Sequence, residues 1–138
     1  NQKMDVYISG PSACTADDTE QWVYDSLGRI HNKAAMGQCL TGNGRSAKVT
    51  LTDCVANNTA QVWSMDATTF AIKQSGQCLD LNSGNLVNNR QIAIRYSCSG
   101  NNNQRWTMLN QNTSMILAGA TSRNIDILVK NLKTQSLN

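Results

Sequence analysis

The sequence predicts an all-β fold of three similar units, each about 40 residues long, closing into a barrel with pseudo-threefold symmetry. Three observations carry this expectation. Trp22, Trp63 and Trp106 stand 41 and 43 residues apart. The tetrapeptide Gly-Gln-Cys-Leu occurs at 37–40 and again, unchanged, at 76–79. Between these marks run short β-rich stretches bounded by Gly, Asn, Asp and Ser, with no amphipathic period of helical length. Closure into a barrel would remove the exposed edges that a small open sheet presents.

The units differ in completeness. The first is short: "MDVYISGPSAC" precedes Trp22 and holds no Gly-Gln-Cys-Leu. The second reads Gly-Gln-Cys-Leu, a loop, the strand candidate "KVTLTDC", then "CVANNTAQVW" ending at Trp63. The third repeats the order with "QIAIRYSC" and "CSGNNNQRW" ending at Trp106. After each Trp comes a further strand candidate, "RIH", "FAI" and "SMIL". The tail "GATSRNIDILVKNLKTQSLN", with strand-like Ile125, Ile127 and Val129, is expected to complete the closure in a register the sequence leaves open. The expectation is one domain over 1–138, with units near 1–36, 37–75 and 76–118 and a closing segment at 119–138.

Composition narrows the function. The chain has 138 residues and is 40% hydrophobic, 15% charged and 5% aromatic, which is globular rather than disordered. The net charge is only +3 and no run of Lys or Arg exceeds two residues, so phosphate tracking along nucleic acid is not expected. No apolar stretch approaches the ~20 residues of a membrane span. The opening "NQKM" reads as a mature segment or a domain cut from something longer. Five cysteines, spaced 15 apart at Cys39 and Cys54 and 20 apart at Cys78 and Cys98, suggest a disulfide framework and a secreted protein. Zinc is disfavoured, because there is no C-x-x-C and His31 is the single histidine. Nucleophile-elbow, zinc-protease, P-loop and dinucleotide motifs are absent, and Asp17, Asp18 and Glu20 read as a solvated turn rather than a glycosidase pair. A Cys14–His31 thiol–imidazole pair is the one catalytic arrangement available, and a cysteine left over from an incomplete repeat explains Cys14 more simply. The chain is not expected to be an enzyme or to carry a cofactor.

Paired cysteines followed by Gln-x-Trp, at Gln61-Val62-Trp63 and Gln104-Arg105-Trp106, resemble the ricin-B-type lectins; Glu20-Gln21-Trp22 departs by carrying Glu in the first place. The resemblance covers nearly the whole chain and is clearest from 37 to 106. It implies a β-trefoil in which the Trp is core and the Gln braces a turn. It also implies bonds Cys39–Cys54 and Cys78–Cys98, with Cys14 unpaired. The family's sugar pocket uses an Asp after the first Cys-Leu, an aromatic before the second Cys, and an Asn before the Gln of Gln-x-Trp. A carboxylate accepts from neighbouring sugar hydroxyls, the amide donates and accepts, and the ring covers an apolar C–H face.

The third unit keeps the whole set as Asp80, Tyr96 and Asn103, with Gln104 beside them, and Asn101 and Asn102 shaping the turn. The second has Thr41, Thr52 and Ala60 in those places and reads as scaffold. In the first, Asp5 is a candidate match for Asp80, although Ser12 stands where the aromatic is needed. The alternation of Ile92 and Ile94 puts Tyr96 on the core face and Arg95 at the site, unless a bulge near Ser97 turns Tyr96 outward. The resemblance implies recognition of terminal galactose or N-acetylgalactosamine on cell-surface glycans. A finer resemblance, to the C-terminal lectin domain of secreted pore-forming haemolysins of the Vibrio type, implies that the chain targets a larger toxin. The alternative is a protein-binding β-trefoil, growth-factor-like or inhibitory, whose heparin-binding kind would use Arg123, Lys130 and Lys133. Two glycosylation sequons, at 57–59 and 112–114, are expected by chance in so Asn-rich a chain.

Overall fold

The computed structural model describes residues 4–9, 18–82, 93–108, 116–118 and 130–134. Ser12, Cys14, Asp17, Ile92, the sequon at 112–114, Arg123, Ile125, Ile127 and Val129 lie outside them. The described strands are β1 (Met4–Ser9), β2 (Trp22–Tyr24), β3 (Ile30–Asn32), β4 (Ala35–Thr41), β5 (Thr50–Asp53), β6 (Ser64–Met65), β7 (Ile72–Gln74), β8 (Gln77–Leu81), β9 (Ala93–Ser97), β10 (Trp106–Met108), β11 (Ile116–Ala118) and β12 (Lys130–Thr134). Three single 3₁₀ turns, at Asp18–Glu20, Thr59–Gln61 and Asn102–Gln104, lead into the strands or extended segments that carry the tryptophans. The architecture is all-β, as the spacing predicts.

Local chemistry sets the turns. Gln74 pairs with Gln77 across a two-residue loop, Ser75-Gly76, in which both residues have positive φ (52° and 74°), the geometry of the tight hairpin turn that follows strand twist. The Asn58 side chain accepts from the Ala60 N–H at 3.0 Å and so starts the second 3₁₀ turn. Asp66 does the same for the N–H groups of Thr68 and Thr69.

Each unit reuses one pairing scheme. β4 pairs with β3 and β5, and β8 pairs with β7 and β9. The first unit is completed from the C-terminal segment. β12 pairs with β11 and β1, and packs on the first 3₁₀ turn as β4 and β8 pack on the second and third. β12 therefore takes the place of β4 and β8, and β1 takes the place of β5 and β9. The C-terminal strand supplies what the first unit lacks. In register, Leu132↔Ile8 corresponds to Leu40↔Leu51 and Leu79↔Arg95. Asn131-Leu132-Lys133 thus stands where the other units have Cys39-Leu40-Thr41 and Cys78-Leu79-Asp80. This corrects the match of Asp5 to Asp80: Asp5 lies on β1, the counterpart of β5 and β9, and the position equivalent to Asp80 is Lys133.

The core is a single cluster fed by all three units. Trp22, Trp63 and Trp106 are buried with Val6, Ile30, Leu40, Val49, Leu51, Ile72, Leu79, Leu81 and Ala93. The indole N–H of Trp63 donates to Leu40 O at 2.9 Å and that of Trp106 to Leu79 O at 3.1 Å, so each ring is tied to the same point of its own unit. Buried Trp needs such an acceptor.

Cys39 is bonded to Cys54 and Cys78 to Cys98, as the resemblance implies. Each closes a loop of 15 or 20 residues. In the chain-entropy picture that is worth about 3 kcal/mol per bond. With four of the five cysteines so used, thiol titration of the unfolded, unreduced chain is expected to find one thiol, on Cys14. A count of five would mean that the bonds do not form in the isolated protein.

Candidate functional site

Gln61 and Gln104 occupy equivalent places and brace equivalent turns. The Gln61 amide donates to Asp53 O at 2.8 Å and accepts from the Val55 N–H at 2.9 Å; the Gln104 amide donates to Ser97 O at 2.8 Å and accepts from the Ser99 N–H at 2.7 Å. What the second amide hydrogen meets separates the two units. In the third it meets the Asp80 carboxylate, with Gln104 Nε2 2.6 Å from Oδ2. In the second it meets the hydroxyls of Thr41 and Thr52, both at 3.2 Å.

Asp80 is buried, yet it opens onto a hollow of about 500 Å³ whose wall includes Tyr96, Asn103 and Gln104. Asn103 Nδ2 donates to Asp80 Oδ1 at 3.0 Å and to Leu81 O at 3.3 Å. Both Asn103 amide hydrogens are thereby used inside the protein, and its carbonyl oxygen is what the residue has left to offer. Burial pushes the Asp80 carboxyl above the usual carboxylate range, and the hydrogen bonds from Gln104 and Asn103 only partly offset it. The hollow thus presents acceptors at its floor, from a carboxylate that water no longer solvates well.

Tyr96 lines this hollow without any bulge. The β8–β9 register runs unbroken from Leu81↔Ala93 to Gln77↔Ser97. Ala93 is the core residue, opposite Leu81, while Ile94 faces the hollow on the same side as Asp80 and Tyr96. The expected alternation was right in period and wrong in sign, because small Ala93 fits the centre and Ile94 floors the hollow. Arg95 consequently points away from the hollow. Its Nε donates to Gln77 Oε1 at 2.9 Å and its Nη1 to Gln74 Oε1 at 2.6 Å. Gln74 in turn donates to Ala60 O and Val62 O, so Arg95 ties the third unit to the second. Gly42 sits against this cluster, and any side chain there would strike the Gln74 amide.

Thr41, Thr52 and Ala60, the second unit's counterparts of the site residues, do not line the hollow. In the second unit the Thr41 hydroxyl donates to Cys39 O at 2.9 Å and pairs with Thr52 at 2.7 Å, so these hydroxyls are engaged within the protein. Thr41→Ala is expected to leave galactoside titrations unchanged but to lower stability by about 1 kcal/mol in thermal melts, because buried hydrogen bonds are lost. His31, Cys39 and Cys54 come close enough together to suggest a metal site, but both sulfurs belong to one disulfide and offer no thiolate. The sequence reading missed Ser46 and Arg45. Ser46 lines the hollow of the third unit from a loop of the second, and no repeat signal marks that reach.

The family model for the ricin-type β-trefoil lectin domain matches residues 9–126. The chain belongs to the ricin-type β-trefoil lectins. Among solved structures, the fold is similar to that of an agglutinin from Abrus precatorius, with a TM-score of 0.62 at 18% sequence identity. The match covers 79% of this chain and 47% of the agglutinin chain, so the chain spans about half of that protein's length. No curated protein matches the sequence. The family is one of carbohydrate-binding modules rather than catalysts, and carbohydrate binding is the function it gives this lectin. Among the described residues no helix is long and apolar enough to cross a membrane.

Proposed function

We propose that this lectin binds terminal galactose or N-acetylgalactosamine on cell-surface glycans through the hollow of the third unit. The observation that carries the reading is the Asp80 carboxylate, which two amides hold at the floor of the hollow beside Tyr96. Each carboxylate oxygen accepts one amide N–H and has lone-pair capacity left for a sugar hydroxyl. A pyranose with an axial hydroxyl presents two neighbouring donors to such a group, while its opposite C–H face meets an aromatic ring. Glucose lacks that axial donor. Two disulfides support an extracellular setting. The resemblance to haemolysin lectin domains supports a role in holding a larger secreted toxin on its target cell, where several copies would strengthen weak single sites.

A glycan array with the isolated chain tests this directly. Galactose- and N-acetylgalactosamine-terminated glycans should be retained over glucose-terminated ones. A flat response, with a protein recovered instead, would favour the protein-binding alternative. Galactoside affinity should also fall on acidification, since protonated Asp80 loses its charge and an acceptor. The carboxyl sits above its ordinary range, so the fall should begin at higher pH than for an exposed aspartate. Titrations at stepped pH check this.

A further inference from the structure

The loop between β4 and β5 lies on the neighbouring unit and is firmly held there. Asn43 Nδ2 donates to Lys48 O and to Thr50 Oγ1, both at 2.9 Å, and so ties the loop's two ends together. The backbone of Arg45 forms a bridge with that of Arg95 on β9. Ser46 takes a left-handed φ of 67°, and its N–H donates to Arg95 O at 2.7 Å. Such a conformation in a non-glycine residue persists only where the surroundings impose it, and it concentrates at binding sites. The result is a fixed position for Arg45. Its guanidinium carbon lies 4.5 Å from the centroid of the Tyr96 ring, and its Nε donates to Ser97 Oγ at 3.3 Å. Tyr96, Ser97 and Ser46 all line the hollow, so the exposed Arg45 side chain stands at its rim. Among the described residues no carboxylate pairs with it.

We propose that Arg45 makes the hollow selective for a hexose bearing an acidic substituent, a sulfate ester or a carboxylate. The inference rests on the sugar-binding reading of the hollow. The floor, made of Asp80 and the Asn103 carbonyl, accepts hydroxyl hydrogens and repels anions. The rim does the opposite. A guanidinium presents donors in a planar fork that matches two oxygens of a carboxylate or sulfate. Stacking on Tyr96 holds that fork in place before a ligand arrives, which lowers the entropy lost on binding. A ligand that puts neighbouring hydroxyls on the floor and an anionic group at the rim satisfies both ends. A plainer role, propping the Tyr96 ring, would act on neutral and acidic sugars alike.

The test is calorimetric titration of the full chain with methyl galactoside, galactose 6-sulfate and galacturonate, in the parent, Arg45→Gln, Arg45→Lys and Asp80→Ala. In the parent at least one acidic sugar should bind about tenfold tighter than the neutral one, as one charge-assisted contact would give. Comparing the two acidic sugars tells sulfate from carboxylate. Arg45→Gln should bring the ratio of acidic to neutral affinity near one, Arg45→Lys should keep part of it, and salt should shrink it in the parent. Equal affinities in the parent, or an equal loss for all three sugars in Arg45→Gln, would overturn the proposal while leaving the hollow as the sugar site. If no sugar binds, or if Asp80→Ala binds like the parent, the reading of the hollow itself fails and the selectivity falls with it.

Discussion

Asp80→Ala should nearly abolish galactoside binding while leaving the protein folded. Among the described residues that line the hollow the carboxylate is the one charged acceptor, and hydrogen bonds to a charged group are worth ~1.5–3 kcal/mol each. With two sugar hydroxyls served by it, the loss reaches a hundredfold or more in affinity. The fold should tolerate the change, because each amide that Asp80 engages keeps a backbone acceptor: Ser97 O for Gln104 and Leu81 O for Asn103. Burial raises the Asp80 carboxyl above its ordinary range, so at neutral pH the folded state carries an incompletely compensated charge. Removing that charge relieves its desolvation but leaves an amide hydrogen of buried Gln104 without its partner, so the two effects oppose and the melting temperature should shift only modestly. Asn103→Ala should weaken binding less, by about 0.5–1.5 kcal/mol, as suits a neutral amide. Thr41→Ala supplies the control, since Thr41 and Asp80 hold one position in two copies of the same frame. Parent-like binding by Asp80→Ala would move the site elsewhere.

The repeat was legible wherever its units are complete. The short β-rich runs between the Gly-Gln-Cys-Leu and Gln-x-Trp marks predicted the all-β fold, and the resemblance carried by those marks implied both disulfides and the buried tryptophans, residues that interact within their own unit. The first unit was not legible in the same way. Its missing strand is supplied from 130–134, and "KNLKT" shares only the leucine with "QCLTG" and "QCLDL". Pairing between chain ends leaves no trace in local periodicity. The same limit hid Arg45 and Ser46, which reach the hollow by crossing between units. Tyr96 shows a further limit. A period of two says that Ile94 and Tyr96 share a face, but the choice of face depends on which neighbour, Ala93 or Ile94, fits opposite Leu81.

Asp25→Ala should be the most destabilising single polar change in the first unit. The Asp25 carboxylate closes the β2–β3 hairpin from inside. Oδ1 accepts from the N–H groups of Leu27 and Arg29, both at 2.9 Å, and Oδ2 from Arg29 Nε at 2.8 Å, with His31 Nε2 2.7 Å away. The hairpin it holds is docked on the second unit: Tyr24 Oη donates to Trp63 O at 2.7 Å, and the Trp63 N–H donates to Gly28 O at 2.8 Å. Losing the carboxylate at once removes four partners and loosens that docking, a loss of about 3 kcal/mol or more at neutral pH. Burial alone would raise the Asp25 carboxyl, but the hydrogen bonds from His31, Arg29 and Leu27 outweigh it and hold the group well below the ordinary 3.8. A depressed folded value fixes the sign. The contribution is complete above the ordinary carboxylate range and is lost as the pH falls below it, towards the depressed value. Urea unfolding of the parent and Asp25→Ala at stepped pH should therefore show a gap that is widest near neutrality and narrows in acid. Asp25→Asn, which keeps an acceptor for the two loop N–H groups but not the charge facing Arg29 and His31, should fall between them. A gap that stays constant into strong acid would mean that the shape of the side chain, and not its ionised form, holds the hairpin.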